Sequence, residues 1–273
     1  MNCGVILFAF NNEKTDYVKL ANASAIRIKK WLDLPTTVVT DNPVTFENCF
    51  DKVIIIDKPN YGTRVFSDYD ARVNWYNFNR YKAYELSPYD RTLLLDADYI
   101  VSSNDLKKLF DTNNSFLCHR NAFNLVDESL TVSNYFGLFN MPMFWATVVY
   151  FKKDIVAKSI FDSMKMIQNN YEHYSNLYQF TKHPYRNDYA LSIALNINSG
   201  HFINSKEYTI PWDLASVVPE NKIVKINENS FEVFYKDNLR VIVKDKDLHI
   251  MGKKYLEEIY EIWRRKRLFN CCK

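Results

Sequence analysis

Apolar and β-branched runs alternate with amphipathic segments along most of this chain. The runs occupy residues 5–10, 36–40, 52–56, 92–95, 116–119 and 147–151. Short runs of this kind are typical of strands that are covered on both faces of a sheet. Segments with apolar residues at helical spacing occupy residues 16–32, 79–86, 104–110, 154–178 and 190–195. The alternation predicts an α/β fold, a Rossmann-like mixed sheet with helices on both faces.

The last third of the chain has a different pattern. Residues 231–235 (FEVFY) and 239–243 (LRVIV) are short alternating segments joined by three polar residues, which predicts a small C-terminal β-hairpin. An amphipathic helix is expected over residues 256–268. The 273 residues are expected to form a single domain, 1–273, with a nucleotide-binding half over 1–120 and an acceptor and sugar half over 121–273.

Two further stretches carry no clear period. Residues 60–75 are polar and aromatic and are expected to form a loop over the sheet edge. Residues 120–144 are also irregular, and long irregular stretches inside compact domains are usually functional. The acceptor or sugar pocket is therefore expected in the second stretch.

The run RTLLLDADYIV, residues 91–101, places two aspartates directly after a buried strand. Because side chains alternate along a strand, Asp96 and Asp98 should point the same way, with the small Ala97 between them. Two convergent carboxylates repel each other unless a cation lies between them, which favours a Mg²⁺ or Mn²⁺ site with substrate phosphates. The alternative is that both aspartates shape a turn and cap the helix near Asn104.

The chain has only five glycines, so it cannot build a dinucleotide fingerprint or a P-loop. Any bound phosphate must therefore be held by a metal ion and by cationic side chains. The predicted helix over residues 79–86 would carry Arg80 and Lys82 towards the aspartates.

The segment from Arg80 through Lys82 and residues 83–86 to LLLDADYIV and DLKKLF resembles the glycogenin-like glycosyltransferases. These enzymes have the nucleotide-diphospho-sugar transferase fold called GT-A. The resemblance implies that Asp96 and Asp98, with Ala97 between them, hold Mn²⁺ (or Mg²⁺) against the diphosphate of a UDP-sugar. It also implies that Lys82 contacts the nucleotide sugar.

The same resemblance implies roles for residues in the loop between the first strand and the first helix, at the start of that helix, and near residue 188. Ala9, Phe10, Asn11 and Tyr17 match the positions that cradle the uracil, although Tyr17 could instead pack under its own helix. Asp188 matches a carboxylate that lines the sugar site, with an N-cap at residue 187 or 188 as the alternative.

Residues 249–254, HIMGKK, resemble the late His-x-x-Gly motif of the family. The resemblance implies that His249 completes the metal site beside Gly252, and that Lys253 or Lys254 neutralises the diphosphate. Neutral imidazole favours Mn²⁺ over Mg²⁺. The chain departs from the family at residues 145–147, where WAT replaces an asparagine-small-glycine sequence.

These features predict a metal-dependent glycosyltransferase with a nucleotide-sugar donor and an acceptor that is a glycan, a protein or modified DNA. Resemblance implies retention at the anomeric carbon, while an inverting reaction with Asp188 as base stays open. The chain also resembles glycosyltransferase-like proteins of tailed phages, some of which modify hydroxymethylated bases in DNA. The basic residues 264–267 suit a DNA acceptor or a solvated helix end. A non-catalytic module that binds sugar nucleotides or nucleic acid is a further alternative.

No apolar run approaches the ~20 residues of a membrane span, and the first ten residues lack the features of a signal peptide. A soluble, cytoplasmic protein is expected, in the host cytoplasm if it is phage-encoded. The five cysteines show no paired spacing, which predicts reduced thiols.

Overall fold

A computed structural model describes most of the chain. The described residues are 2–42, 49–58, 62–66, 71–131, 134–180, 183–201, 207–219, 221–227, 229–235, 239–253, 256–257 and 260. The strands within them are β1 (Cys3–Ala9), β2 (Thr36–Thr40), β3 (Lys52–Ile55), β4 (Gly62–Phe66), β5 (Ala71–Trp75), β6 (Arg91–Leu95), β7 (Tyr99–Ile100), β8 (Phe116–His119), β9 (Ala122–Asn124), β10 (Tyr135–Phe136), β11 (Met141–Pro142), β12 (Trp145–Lys152), β13 (Leu214–Val217), β14 (Lys222–Ile226), β15 (Ser230–Tyr235), β16 (Leu239–Lys244) and β17 (Leu248–Ile250). The helices are α1 (Tyr17–Trp31), α2 (Ala83–Leu86), α3 (Ile155–Asn169), α4 (Tyr171–Leu177) and α5 (Asn187–Asn198), with 3₁₀ helices at Asn77–Lys82 and Asp105–Asp111.

The central sheet has the strand order β3-β2-β1-β6-β12-β8. Strands β3, β2, β1 and β6 are parallel, whereas β12 runs antiparallel to both of its neighbours. The predicted mixed sheet is therefore confirmed. The register pairs Leu7 with Leu95, which brings the carboxyl ends of β1 and β6 side by side.

Each face of this sheet packs against its own set of helices. Leu7, Leu93 and Leu95 lie in a buried cluster with residues of α1, whereas Ile6 and Leu94 lie in a second cluster with residues of α3 and α5. Burial on both faces explains the continuous apolar runs of β1 and β6, because neither face meets water. The prediction of an α/β protein with helices on both faces is confirmed.

A second sheet brings distant parts of the chain to the end of β6. Its order is β7-β17-β13-β9, and β7 begins at Tyr99, immediately after the aspartate pair. His249 on β17 pairs with Tyr99 on one side and with Ser216 of β13 on the other. This pairing carries His249 next to Asp98 although they are far apart in sequence.

Several sequence-based expectations require correction or cannot be followed. Residues 60–75 are not a plain loop, because β4 and β5 form an antiparallel hairpin. The single helix predicted over 154–178 is two helices that meet at Asn170. The predicted hairpin of β15 and β16 is confirmed, with β14 as a third strand. Most of the C-terminal helix and the basic residues 264–267 lie outside the described residues. The single-domain organisation stays a prediction.

In the part of the chain that the structure describes, no helix is both long enough and apolar enough to cross a bilayer. Cys3, Cys49 and Cys118 are free thiols in that part.

Candidate functional site

A cavity of about 450 Å³ lies at the carboxyl ends of β1 and β6. In doubly wound α/β sheets this edge is where ligands bind. Charged, aromatic and small residues from many elements share the cavity wall. These residues are Phe8, Phe10, Tyr17, Trp75, Tyr76, Asn77, Arg80, Asp96, Ala97, Asp98, Trp145, Ala146, Thr147, Pro184, Arg186, Asn187, Asp188, Pro219, His249, Met251 and Lys253.

One wall of the cavity is aromatic, with Phe10 and Tyr17 from the first βα unit and Trp75 and Tyr76 from the end of β5. The hairpin is held there by the β1–α1 loop. The side-chain amide of Asn12 donates to the Asn74 carbonyl oxygen (3.0 Å), and the Asn74 backbone N–H donates to Glu13 Oε1 (2.8 Å). Flat aromatic faces of this kind stack on nucleobases and on sugar rings.

The first carboxylate of the pair, Asp96, is bound by the guanidinium of Arg80. Arg80 also donates to the carbonyl oxygen of Thr147 (3.4 Å), to which the backbone N–H of Asp96 donates as well (2.9 Å). Burial raises the pKa of Asp96 to about 6, although Arg80 opposes that rise, and the nearby charge of Asp98 adds to it. A cation bound between the two aspartates would lower the pKa of Asp96 and so favour its ionised form.

The second carboxylate, Asp98, is paired with the ammonium of Lys253 and faces His249, whose Nε2 lies 3.8 Å from Asp98 Oδ1. Burial raises the pKa of Asp98, but Lys253 and His249 lower it by more, so the net shift is downwards. Burial lowers the pKa of His249 to about 4, so the imidazole is neutral at pH 7. On its other side, Nδ1 of the ring lies 3.5 Å from the hydroxyl of Ser216.

Asp96, Asp98 and His249 each offer one ligand atom, and these atoms all lie within 4.8 Å of one another. These three side chains are the ones that would hold a divalent ion placed between them. Two ionised carboxylates with a neutral imidazole form a donor set that suits Mn²⁺, whereas Mg²⁺ prefers oxygen alone. The residues present therefore fit a divalent metal ion.

A third carboxylate, Asp188, faces the same cavity from the first turn of α5. Its Oδ1 accepts from the backbone N–H of Ala146 (2.9 Å), and its Oδ2 accepts from Nε and Nη2 of Arg186 (3.0 and 2.8 Å). The Arg186 guanidinium also lies over the rings of Trp145 and Tyr189, at 5.9 and 5.5 Å. The N-cap of α5 is Arg186, so residues 187 and 188 lie within the helix and the N-cap alternative is wrong.

The structure brings most of the predicted site residues into one cavity. The residues from that set that line it are Phe10, Tyr17, Asp96, Ala97, Asp98, Asp188, His249 and Lys253. Among the described residues, Ala9, Asn11, Lys82 and Gly252 are not part of the lining. Lys254 lies outside the described residues.

The four remaining residues lie behind or beside the cavity. Ala9 is fully buried in β1, and the side chain of Asn11 accepts from the backbone N–H of Val18 (2.9 Å) at the start of α1. Gly252 is buried beside Pro219. Lys82 ends the 3₁₀ helix, and Arg80, two residues earlier, reaches the aspartates.

Sequence reasoning missed three contributors to the site, namely Arg186, Trp75 and Tyr76. Arg186 could have been suspected because an arginine two residues before a candidate carboxylate can pair with it in an extended segment. Trp75 is the last residue of the predicted loop and Tyr76 directly follows it, and no pattern in the sequence marks either residue as part of a site.

No family model and no curated protein matches the sequence. By structure, the chain is similar to the apo form of the glycosyltransferase GlyE from Streptococcus pneumoniae TIGR4, at 13% identity over 77% of this chain and 45% of that chain, with a TM-score of 0.43. It is similar to the galactosyltransferase LgtC in complex with donor and acceptor sugar analogues, at 14% identity over 71% and 69% of the two chains (TM-score 0.44). It is also similar to the bifunctional glycosyltransferase WbbM, at 15% identity over 61% and 34% (TM-score 0.37).

These neighbours are glycosyltransferases, the class of protein that the sequence motifs resemble. The chain spans less than half of the length of the GlyE chain. The identities and TM-scores are low, so evidence for the reaction of this chain has to come from its own residues.

Proposed function

We propose that this chain is a metal-dependent glycosyltransferase that moves a sugar from a UDP-sugar to a hydroxyl acceptor. The observation that carries the proposal is the cluster of Asp96, Asp98 and His249 in a cavity that also contains cations and an aromatic wall. Hard oxygen ligands, fixed positive charges and flat apolar faces match the diphosphate and the base of a nucleotide sugar.

The metal site supports the diphosphate end of the proposal. A divalent ion held by Asp96, Asp98 and His249 would supply Lewis-acid stabilisation of the negative charge on the departing diphosphate. Manganese fits this donor set better than magnesium because one ligand is a neutral imidazole nitrogen.

The cations of the chain would assist at the same place. Lys253 lies beside Asp98, and Arg80 lies beside Asp96, so both hold positive charge at the edge of the metal cluster. Fixed charges in a site from which water is excluded stabilise developing negative charge without reorganisation. They replace the glycine-rich phosphate loop that the sequence cannot build.

The aromatic wall supports the nucleoside end. Tyr17 opens α1, Trp75 ends β5 and Tyr76 follows it, so a base could stack between two separate elements. Asp188 and Arg186 line another part of the cavity beside Trp145, where they offer hydrogen bonds for sugar hydroxyls.

The proposal is tested by calorimetry of UDP binding with and without Mn²⁺, together with a measurement of UDP release from a panel of UDP-sugars. Asp98→Asn is compared with Asp154→Asn, which changes an aspartate at the N-cap of α3 outside the cavity. We expect metal-dependent binding and turnover that Asp98→Asn abolishes and Asp154→Asn retains. Binding of UDP that ignores both Mn²⁺ and Asp98 would overturn the proposal.

A further inference from the structure

The two carboxylates that the proposed metal requires already hold cations of the chain itself. Lys253 Nζ pairs with Oδ2 of Asp98, and Arg80 Nη1 pairs with Oδ1 of Asp96. Lys253 is 8% exposed and Asp98 is 5% exposed, so their pair is shielded from water. In such an environment a charge that loses its partner is costly. Lys253 is on Oδ2 of Asp98 and His249 faces Oδ1, so a divalent ion between Asp98 and His249 would lie on the same carboxylate as the Lys253 ammonium, and the two cations would repel each other.

We propose that Lys253 moves from Asp98 to the diphosphate when metal and nucleotide bind, so that the two ligands bind as a coupled pair. This inference rests on the proposed function, and it adds a physical cause for the coupling between metal binding and nucleotide binding. Metal alone would leave the Lys253 ammonium buried without its carboxylate. A diphosphate that arrives with the metal offers the ammonium a new anion within the same cavity.

Lys253, rather than Arg80, is the cation that exchanges. Arg80 is 1% exposed, and its planar guanidinium also donates to the Thr147 carbonyl oxygen, so it is fixed at two points. Lysine has a flexible four-carbon stem and a compact charge with rotatable donors. Its ammonium also donates to the carbonyl oxygens of Ile250 and Met251 (3.5 and 3.0 Å), which are neutral groups of its own segment.

The exchange predicts how the affinities for Mn²⁺ and for UDP depend on each other. If Mn²⁺ raises the affinity for UDP by some factor, UDP must raise the affinity for Mn²⁺ by the same factor. Removal of the Lys253 charge should strengthen the binding of Mn²⁺ alone, because the repelling cation is gone. The same change should weaken the binding of UDP in the presence of Mn²⁺, because the diphosphate loses a cation.

The test is calorimetry of Mn²⁺ alone, of UDP alone and of UDP at saturating Mn²⁺, on the native chain and on Lys253→Met. We expect Lys253→Met to bind Mn²⁺ alone about tenfold more tightly and UDP with Mn²⁺ about tenfold more weakly, within the usual range of coupling between sites. Lys158→Met is the matched control, because it removes a lysine of an exposed ion pair with Asp162 on α3. It should change neither affinity.

Lys253→Arg keeps the positive charge and covers the case in which Lys253→Met does not fold. In that variant we expect the affinity for Mn²⁺ alone to stay within about threefold of the native value, with coupling retained. Weaker or unchanged binding of Mn²⁺ to folded Lys253→Met would overturn the exchange, even where Mn²⁺-dependent UDP binding to the native chain upholds the proposed function. If Lys253→Met does not fold, loss of coupling in Lys253→Arg would overturn it. UDP binding to the native chain that is indifferent to Mn²⁺ would overturn both.

Discussion

Arg80 and Asp96 form an ion pair whose two side chains differ in exposure, 2% for the arginine and 25% for the aspartate. The pair therefore has a buried end and an end that faces the cavity. The arginine supplies positive charge from behind, while part of the carboxylate stays accessible to a ligand. Because Arg80 holds a carboxylate whose pKa burial raises, it contributes to both the stability of the fold and the charge of the site.

Arg80→Met should destabilise the fold, since it leaves Asp96 without its cation in a largely enclosed cavity. We expect a loss of about 2–4 kcal/mol in the free energy of unfolding, measured by urea denaturation at pH 7.5. The double variant Arg80→Met/Asp96→Asn should recover part of that loss, because the uncompensated charge is removed. Equal losses in the single and double variants would show that the packing of Arg80, and not its charge, matters.

Gly137 and Gly200 form a natural pair for a test of backbone strain and packing. Both have positive φ, +70° and +64°, but a Cβ on Gly137 would lie 2.3 Å from the Tyr178 carbonyl oxygen, whereas a Cβ on Gly200 would meet nothing within 4 Å. Gly200→Ala should cost only the strain of a left-handed alanine, about 1 kcal/mol. Gly137→Ala should cost at least about 1 kcal/mol more by thermal or urea unfolding. Similar losses in both variants would contradict a clash with residue 178.

His119 should make the stability of the fold depend on pH. The ring is 1% exposed, neither nitrogen has a hydrogen-bond partner among the described residues, and burial, with a smaller contribution from His249, lowers its pKa to about 3. The unfolded chain takes up a proton near pH 6.5 whereas the folded chain does not. The lowered pKa therefore makes its full contribution to the free energy of unfolding above pH 6.5. That contribution is lost as the pH falls towards 3, by about 1.4 kcal/mol per pH unit.

The matched variant is His119→Leu, which cannot titrate and removes two buried nitrogens that lack partners. Its unfolding free energy should fall less steeply than that of the native chain between pH 6.5 and pH 4, as measured by urea denaturation across that range. At pH 7.5 the variant should lie within about 1 kcal/mol of the native chain. Parallel pH profiles for the two proteins would refute the assignment of a neutral, buried histidine.

The parts of the fold that the sequence predicted well are strands that are buried on both faces and therefore have continuous apolar sequences. β2 has the predicted bounds, and β6 differs from its prediction by one residue, because both are covered on two faces. The β4–β5 hairpin was missed because the alternation of its buried residues, Val73 and Trp75, is short and lies within a polar stretch. The break at Asn170 was missed because helical spacing continues on both sides of it.

In the site, too, some residues could be predicted from the local sequence pattern, whereas others depend on details of the backbone that the pattern does not show. Asp96 and Asp98 could be predicted together because both directly follow a buried strand, although β6 ends at Leu95 and a turn, rather than the strand period, brings the two carboxylates into one site. Arg186 was missed because residues two apart do not share a helix face, and only an extended segment lets them pair. It reaches Asp188 because its own backbone is extended (φ −134°, ψ 142°) at the N-cap of α5. The choice of Arg80 over Lys82 depends on a kink at Asn79 within the 3₁₀ helix, which no periodic pattern reveals.

The pairing of charges in the cavity also predicts the stereochemistry of sugar transfer. An inverting enzyme needs a carboxylate that is free to take the proton of the acceptor hydroxyl. Among the described residues that line the cavity, Asp96, Asp98 and Asp188 are the carboxylates, and each is bound to a cation: Arg80, Lys253 and Arg186 respectively. Asp188, the earlier candidate for a base, is held by two guanidinium nitrogens and a backbone N–H.

We therefore expect retention of the anomeric configuration. The assay uses methanol as the acceptor, because its product is a methyl glycoside, which cannot mutarotate. NMR of that product, made from a UDP-sugar of known anomeric configuration, shows whether the configuration is retained. Asp188→Asn keeps an acceptor for the Ala146 N–H but loses the charge that binds Arg186, so it should slow transfer about 10–100-fold without a change of anomer. An inverted methyl glycoside from the native chain would mean that Asp188 leaves Arg186 and acts as the base.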